Sequence, residues 1–152
     1  MLVLLDIDGV MVPVKSWKAP ELMEDGFPAF STKAVHALQN LISDDTIVML
    51  TTSHKSNYSL DKWKEMFKRR GLNVKNLDAL PKNVNHISRK DEIITWAALN
   101  HLRKDFVIID DDSSLNGLPQ YLKQNLVLTS SLIGLTEENV KDVIQKKKLH
   151  FG

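Results

Sequence analysis

The chain has 152 residues, 43% hydrophobic and 26% charged, which suits one globular core and excludes global disorder. Its 20 basic and 19 acidic residues leave a formal charge of +1, too little for a strong overall field toward nucleic acid or an anionic membrane, though a local basic face remains open. There is no cysteine, hence no disulfide, thiolate zinc site or cysteine nucleophile. The apolar run at 1–5 is too short for a signal peptide, and no apolar stretch approaches the roughly 20 residues that span a bilayer. The expected setting is soluble and cytoplasmic, with no membrane partner.

In chain order, continuous apolar runs at 3–5, 46–50, 106–109 and 126–128 read as strands buried on both faces, as in a parallel sheet. Helical stripes lie between them. Ala34, Val35, Leu38, Leu41 and Ile42 follow the helical period behind Ser31 or Thr32 as cap. Leu60, Trp63 and Phe67 follow Ser59 and stop near Gly71. Ser88-Arg89-Lys90-Asp91 resembles a capping box ahead of Ile93, Ile94 and Ala97. Thr136 heads a last helix bearing Val140, Val143 and Ile144. The order β-α-β-α-β-β-α predicts an α/β, doubly wound, Rossmann-like parallel sheet with helices on both faces. The expected organisation is one domain over 1–152. Two stretches lack a period: 12–30, with Pro13, Pro20, Gly26 and Pro28, reads as a small flap, and 74–87 has space for one short strand.

Ligands of such sheets bind at the carboxyl ends of the strands. The first strand ends in Asp6-Ile7-Asp8-Gly9-Val10. Two carboxylates beside a buried strand are costly unless a cation compensates them, and a hard divalent ion with oxygen ligands does so. The alternative is a solvated turn. The second strand ends in Thr51-Thr52-Ser53, whose hydroxyls either orient a phosphoryl group or simply close a turn. The third ends in Asp110-Asp111-Asp112, where mutual repulsion calls for a cation or for salt screening. Lys90 lies at a helix start facing the same edge and can neutralise an aspartate–phosphate pair, in competition with Lys75 and Lys82.

The ordered set of carboxylates, hydroxyls, lysine and carboxylates resembles the four motifs of the haloacid dehalogenase (HAD) superfamily. The resemblance covers the whole chain and rests chiefly on Asp-Ile-Asp-Gly-Val and on the hydrophobic-Asp-Asp element. More narrowly, the segments 48–53, 92–96, 108–112 and 134–136 resemble the small HAD domains associated with RNA-repair proteins. Those domains often carry Trp-Arg after the hydroxyl motif, where this chain has His54-Lys55.

The resemblance implies a magnesium-dependent phosphohydrolase without a large cap. Asp6 is the implied nucleophile, forming an aspartyl-phosphate, and Asp8 the general acid and then base. The implied magnesium ligands are Asp6, the Asp8 backbone carbonyl, and Asp111 with Asp110 as its support. Thr51, ahead of Thr52, donates to the phosphoryl group, Lys90 stabilises its charge, and Gly9, Thr52 and Ser53 complete the substrate-binding set. An open site suits a large phosphorylated substrate such as a nucleic-acid end. The other readings are a small-metabolite phosphatase, a phosphate-holding receiver-like domain and a silent scaffold.

Among the remaining residues, the five histidines show no metal-ligand spacing. His54 is placed to line the site. Trp17 reads first as packing beneath the flap, with stacking on a substrate ring as the alternative. Trp63 and Trp96 read as core or interhelix contacts. The runs Lys68-Arg69-Arg70 and Lys146-Lys147-Lys148 read as cations at helix C-termini.

Overall fold

The computed structural model describes residues 1–15, 17–102 and 105–151; the Lys146-Lys147-Lys148 run and His150 fall outside the described side chains. Five strands, β1 (Leu2–Leu5), β2 (Ile47–Leu50), β3 (Asn76–Ala79), β4 (Phe106–Asp110) and β5 (Leu126–Leu128), form one sheet in the order 3-2-1-4-5. Every pairing is parallel. The helices are α1 (Thr32–Leu41), α2 (Leu60–Arg69), α3 (Arg89–Leu99), the short α4 (Gln120–Lys123) and α5 (Glu137–Phe151), with a 3₁₀ turn at Ser113–Gly117. This is the expected Rossmann-like architecture, and among the described residues no cap domain is inserted.

The side-chain alternation of the central strands sorts the core into two layers. Val3 and Leu5 of β1, Val48 and Leu50 of β2, and Val107 and Ile109 of β4 point to one face, against Ala34 and Leu38 of α1, Trp63 and Phe67 of α2, and Val140 of α5. Leu4, Met49 and Ile108 point to the other, against Ile93 and Ala97 of α3, Leu115 and Leu122. Both layers are apolar and buried, which is why the central strands carry uninterrupted apolar residues.

The cap signals act as read. Ser31, Ser59 and Ser88 accept hydrogen bonds from the backbone of Ala34, Lys62 and Asp91 at 3.0–3.1 Å. The short strand hidden in 74–87 is β3. Its sequence Asn-Leu-Asp-Ala is half exposed at the sheet edge, so it carries no apolar run. The 3₁₀ turn and α4 were not anticipated, being too short for a helical period to show.

The segment 12–30 holds no helix or strand among its described residues but is firmly attached. Arg70, at the C-terminal end of α2, donates to both Asp25 carboxylate oxygens at 2.7 and 2.9 Å and to the carbonyls of Pro28, Phe27 and Met66 at 2.8–2.9 Å. Its guanidinium also lies over the Phe27 and Phe30 rings. Phe27 packs edge-on against Trp63, Tyr58 and His54. Trp17 does not share this packing. It is 75% exposed, contrary to the expectation that it packs beneath the flap. Arg70 lies at a helix C-terminus as expected, but it is buried there, and five acceptors from the flap and α2 fill its donor fork.

Candidate active site

Register builds the site. Leu5 of β1 pairs with Leu50 of β2 on one side and Ile109 of β4 on the other. One residue further on, Asp6, Thr51 and Asp110 stand abreast at the carboxyl edge, joined by Thr51 N–H to Leu5 O and Asp6 N–H to Ile109 O, each 3.0 Å. Asp6 continues the alternation of Leu4, and Asp110 that of Ile108. Both carboxylates therefore turn toward the α3 side of the sheet.

There they meet Asp111. One carboxylate oxygen from each of Asp6, Asp110 and Asp111 lies within 4.8 Å of the others. Asp6 is 5% exposed and Asp110 fully buried. Asp110 is also tied into its turn, since Oδ1 accepts the backbone N–H groups of Asp111 and Asp112 at 2.8 and 3.0 Å. Asp112 turns away and caps the 3₁₀ segment by accepting from Ser114 N–H at 2.9 Å. The run of three aspartates thus divides into two members of the cluster and one cap.

Gly9 explains how Asp111 reaches the cluster. Its φ is +78°, and a Cβ built there would lie 2.0 Å from Asp111 Oδ2. Its N–H is engaged by Val12 O at 2.8 Å, and its carbonyl accepts from Thr129 Oγ1 at 2.7 Å. What Gly9 supplies is space. Gly134 does the same for the neighbouring loop: φ is +81°, a Cβ would approach Val10 O to 2.6 Å, and the next residue, Leu135, donates to that oxygen.

The cation in contact with the cluster is Arg89. Its Nη1 lies 2.7 Å from Asp110 Oδ2 and 3.3 Å from Asp6 Oδ1. Lys90 runs beside Gly117 and, among the described residues, forms no ion pair. Lys75 pairs with Asp44 at the opposite end of the sheet, and Lys82 is exposed. Behind Arg89 stands Glu92, 3.8 Å from Arg89 Nε and 2.7 Å from the buried Lys55 Nζ. Glu92 Oε2 is buried, and the Lys55 ammonium 2.7 Å away is its compensation. Sequence reasoning passed over Arg89, Glu92 and Lys55. The available signals were the basic residue after the hydroxyl motif and the i, i+3 spacing of Arg89 and Glu92 at a helix start.

Asp8 stands apart from the carboxylate cluster. Its Oδ2 is 2.8 Å from His54 Nε2, and both side chains are partly exposed. Thr51 and Thr52 are buried, Thr52 Oγ1 accepting from His54 N–H at 3.3 Å, while Ser53 is exposed. The structure thus gathers Asp6, Asp110, Asp111, Thr51 and Gly9 at one edge and adds Arg89.

The charge in this edge is unbalanced. Burial, then the Asp110 carboxylate, push Asp6 from 3.8 up to about 8, although Arg89 pulls the other way. Burial and Asp110 also raise Asp111. Burial alone would lower Arg89, but the Asp6 and Asp110 carboxylates outweigh it and hold the guanidinium above its ordinary value. An all-oxygen donor set with more negative charge than one arginine can neutralise fits a hard divalent cation.

Comparison with protein-family models matches residues 2–140 to the HAD domain in Swiss Army Knife RNA repair proteins. Searches of the curated proteins and of the solved structures found no significant match.

Proposed function

The chain belongs to the family of HAD domains in Swiss Army Knife RNA repair proteins, and on that footing we propose that it is a magnesium-dependent phosphohydrolase acting on an accessible phosphate at a nucleic-acid end. The observation that carries this reading is the buried oxygen cluster of Asp6, Asp110 and Asp111 at the carboxyl edge of the sheet. Residues 1–152 act as one catalytic unit bordered by the 12–30 flap.

In the proposed reaction the Asp6 carboxylate attacks phosphorus as the bond to the leaving oxygen breaks, giving an aspartyl-phosphate. Asp8 supplies the proton to that oxygen. It then takes a proton from the water that hydrolyses the acyl-phosphate and frees Asp6. His54 holds Asp8 in place: with Asp8 ionised, the Nε2–H donates to Oδ2. Thr51 donates to a phosphoryl oxygen, beside the exposed Ser53 and the buried Thr52. Arg89 offsets the carboxylates from within, and Lys90, at the N-terminus of α3, meets the phosphoryl charge from outside. The Asp6 and Asp111 carboxylates, with Asp110 behind them and the Asp8 carbonyl, would hold the ion. When bound, magnesium supplies the positive charge that lets anionic nucleophile and anionic phosphate approach.

Phosphate release from a panel of esters tests this, with magnesium and with chelator, for wild type and Asp6→Asn. The panel spans small metabolites, phosphopeptides and oligonucleotides phosphorylated at either end. The expected result is magnesium-dependent turnover, best on oligonucleotides and abolished in the variant. No turnover on any ester, or turnover retained in Asp6→Asn, would contradict it. A preference for small esters would transfer the assignment to a metabolite phosphatase.

A further inference from the structure

The loop that carries Asp8 and Gly9 runs on to a surface the proposed chemistry does not use. Val14 N–H donates to Ser131 O at 2.8 Å, and Gly134 abuts Val10 O and the Pro13 ring. The start of the flap and the loop after β5 therefore lie side by side next to the site. On them Val14, Trp17, Leu132 and Ile133 are 45–75% exposed. Lys15 and Lys18, also exposed, flank Trp17, and among the described residues neither forms an ion pair; the nearest carboxylates along the chain are Asp8 and the exposed Glu21. A chain with a formal charge of only +1 thus places two exposed lysines and an exposed tryptophan beside the acidic site.

We propose that this face docks a single-stranded polynucleotide whose terminal phosphate enters the acidic site. Trp17 stacks on an unpaired base, Lys15 and Lys18 meet backbone phosphates, and Val14, Leu132 and Ile133 contact sugar and base faces. Stacking requires an exposed base, which selects a single strand over a duplex. That the terminal phosphate enters the acidic site rests on the hydrolase reading above; the docking itself does not.

The test has a binding arm and a turnover arm. Tryptophan fluorescence is titrated with phosphorylated hexamers of RNA and DNA in chelator, for wild type, Trp17→Phe, Trp17→Ala and Lys15→Ala/Lys18→Ala. The hexamer is expected to quench wild type. Trp17→Ala, followed by anisotropy of a labelled hexamer, is expected to weaken binding about ten-fold, with Trp17→Phe between the two. The lysine pair is expected to lower the salt dependence of binding by about 1.4 in slope. The tighter of RNA and DNA names the strand. In turnover with magnesium, kcat/KM on the hexamer falls in these variants while that on a small aryl phosphate is unchanged. Unaltered hexamer binding in all variants, tighter binding of duplex than of single strand, or equal losses on hexamer and aryl phosphate would overturn the docking face. If wild type binds the hexamer through Trp17 yet hydrolyses no ester, the hydrolase reading fails and the docking face stands.

Discussion

Two buried arginine–carboxylate sites lie among the described residues, and they are built to opposite ends. At the flap, Arg70 faces one carboxylate, Asp25, with both side chains 1% exposed and a two-pronged contact. The Arg70 hydrogen bond holds Asp25 down at about 2. At the sheet edge, one arginine faces Asp6 and Asp110 with Asp111 beside them, and Asp6 is driven up to about 8. The first site is complete within the chain and works as a fastener. The second holds more negative charge than the described residues neutralise, and its three carboxylates could hold a metal ion. Surplus buried charge, more than the presence of charged residues, distinguishes a site from a strut.

Removing each arginine in turn separates the two sites. Arg70→Met leaves Asp25 buried without its partner and releases the flap. The expected loss is about 3–5 kcal/mol of stability, read as a fall in the urea midpoint. Arg89→Met acts in the other place. It is expected to cost on the order of 100-fold in kcat/KM, while the magnesium-loaded protein keeps most of its stability, because the ion remains to offset the carboxylates. If Arg89→Met unfolds the protein and Arg70→Met does not, the two sites have been assigned the wrong way round.

A smaller effect is expected at His54, which links the two regions by packing on Phe27 and bonding Asp8. His54→Ala should lower kcat about ten-fold with little change in KM, and His54→Gln, which retains a donor, should recover most of it. An equal loss in both variants would show that the imidazole is needed for more than holding Asp8.

The smallest effects are in pH. The folded value of Asp25 lies below its ordinary 3.8, so its contribution to stability is present above about pH 4 and is lost as the pH falls toward 2. That of Asp6 lies above 3.8, so the metal-free cluster is most comfortable below about pH 4 and loses stability as the pH rises to about 8. In chelator, Asp6→Asn should remove this alkaline loss and melt higher than wild type at pH 8.

The central sheet was legible because strands covered on both faces admit little but apolar residues, and because Asp6, Thr51 and Asp110 follow directly from where those runs end. The edge strand β3 was not, since an exposed edge imposes no such pattern. From the sequence the acidic pair could be ranked only by resemblance; the turn adds the physical reason, Asp112 being spent on a cap. Arg89 was hidden inside a capping signal that serves the helix whatever its side chain does. The Arg70–Asp25 fastener joins residues 45 apart, and nothing in local spacing marks it. Trp17 shows the limit from the other side: an aromatic residue in an irregular segment is as compatible with a buried anchor, which Phe27 supplies, as with an exposed platform.

In the proposed mechanism a divalent cation completes the surplus charge at Asp6, Asp110 and Asp111. Thermal melting with and without saturating magnesium, at pH 6 and pH 8, tests it most directly. At about 100 times Kd the ion should add about 2.7 kcal/mol, a rise on the order of 5–10 °C at pH 8, smaller at pH 6 where protons compete for Asp6, and largely absent in Asp6→Asn. A melting temperature indifferent to magnesium at both pH values, or raised equally in Asp6→Asn, would contradict it.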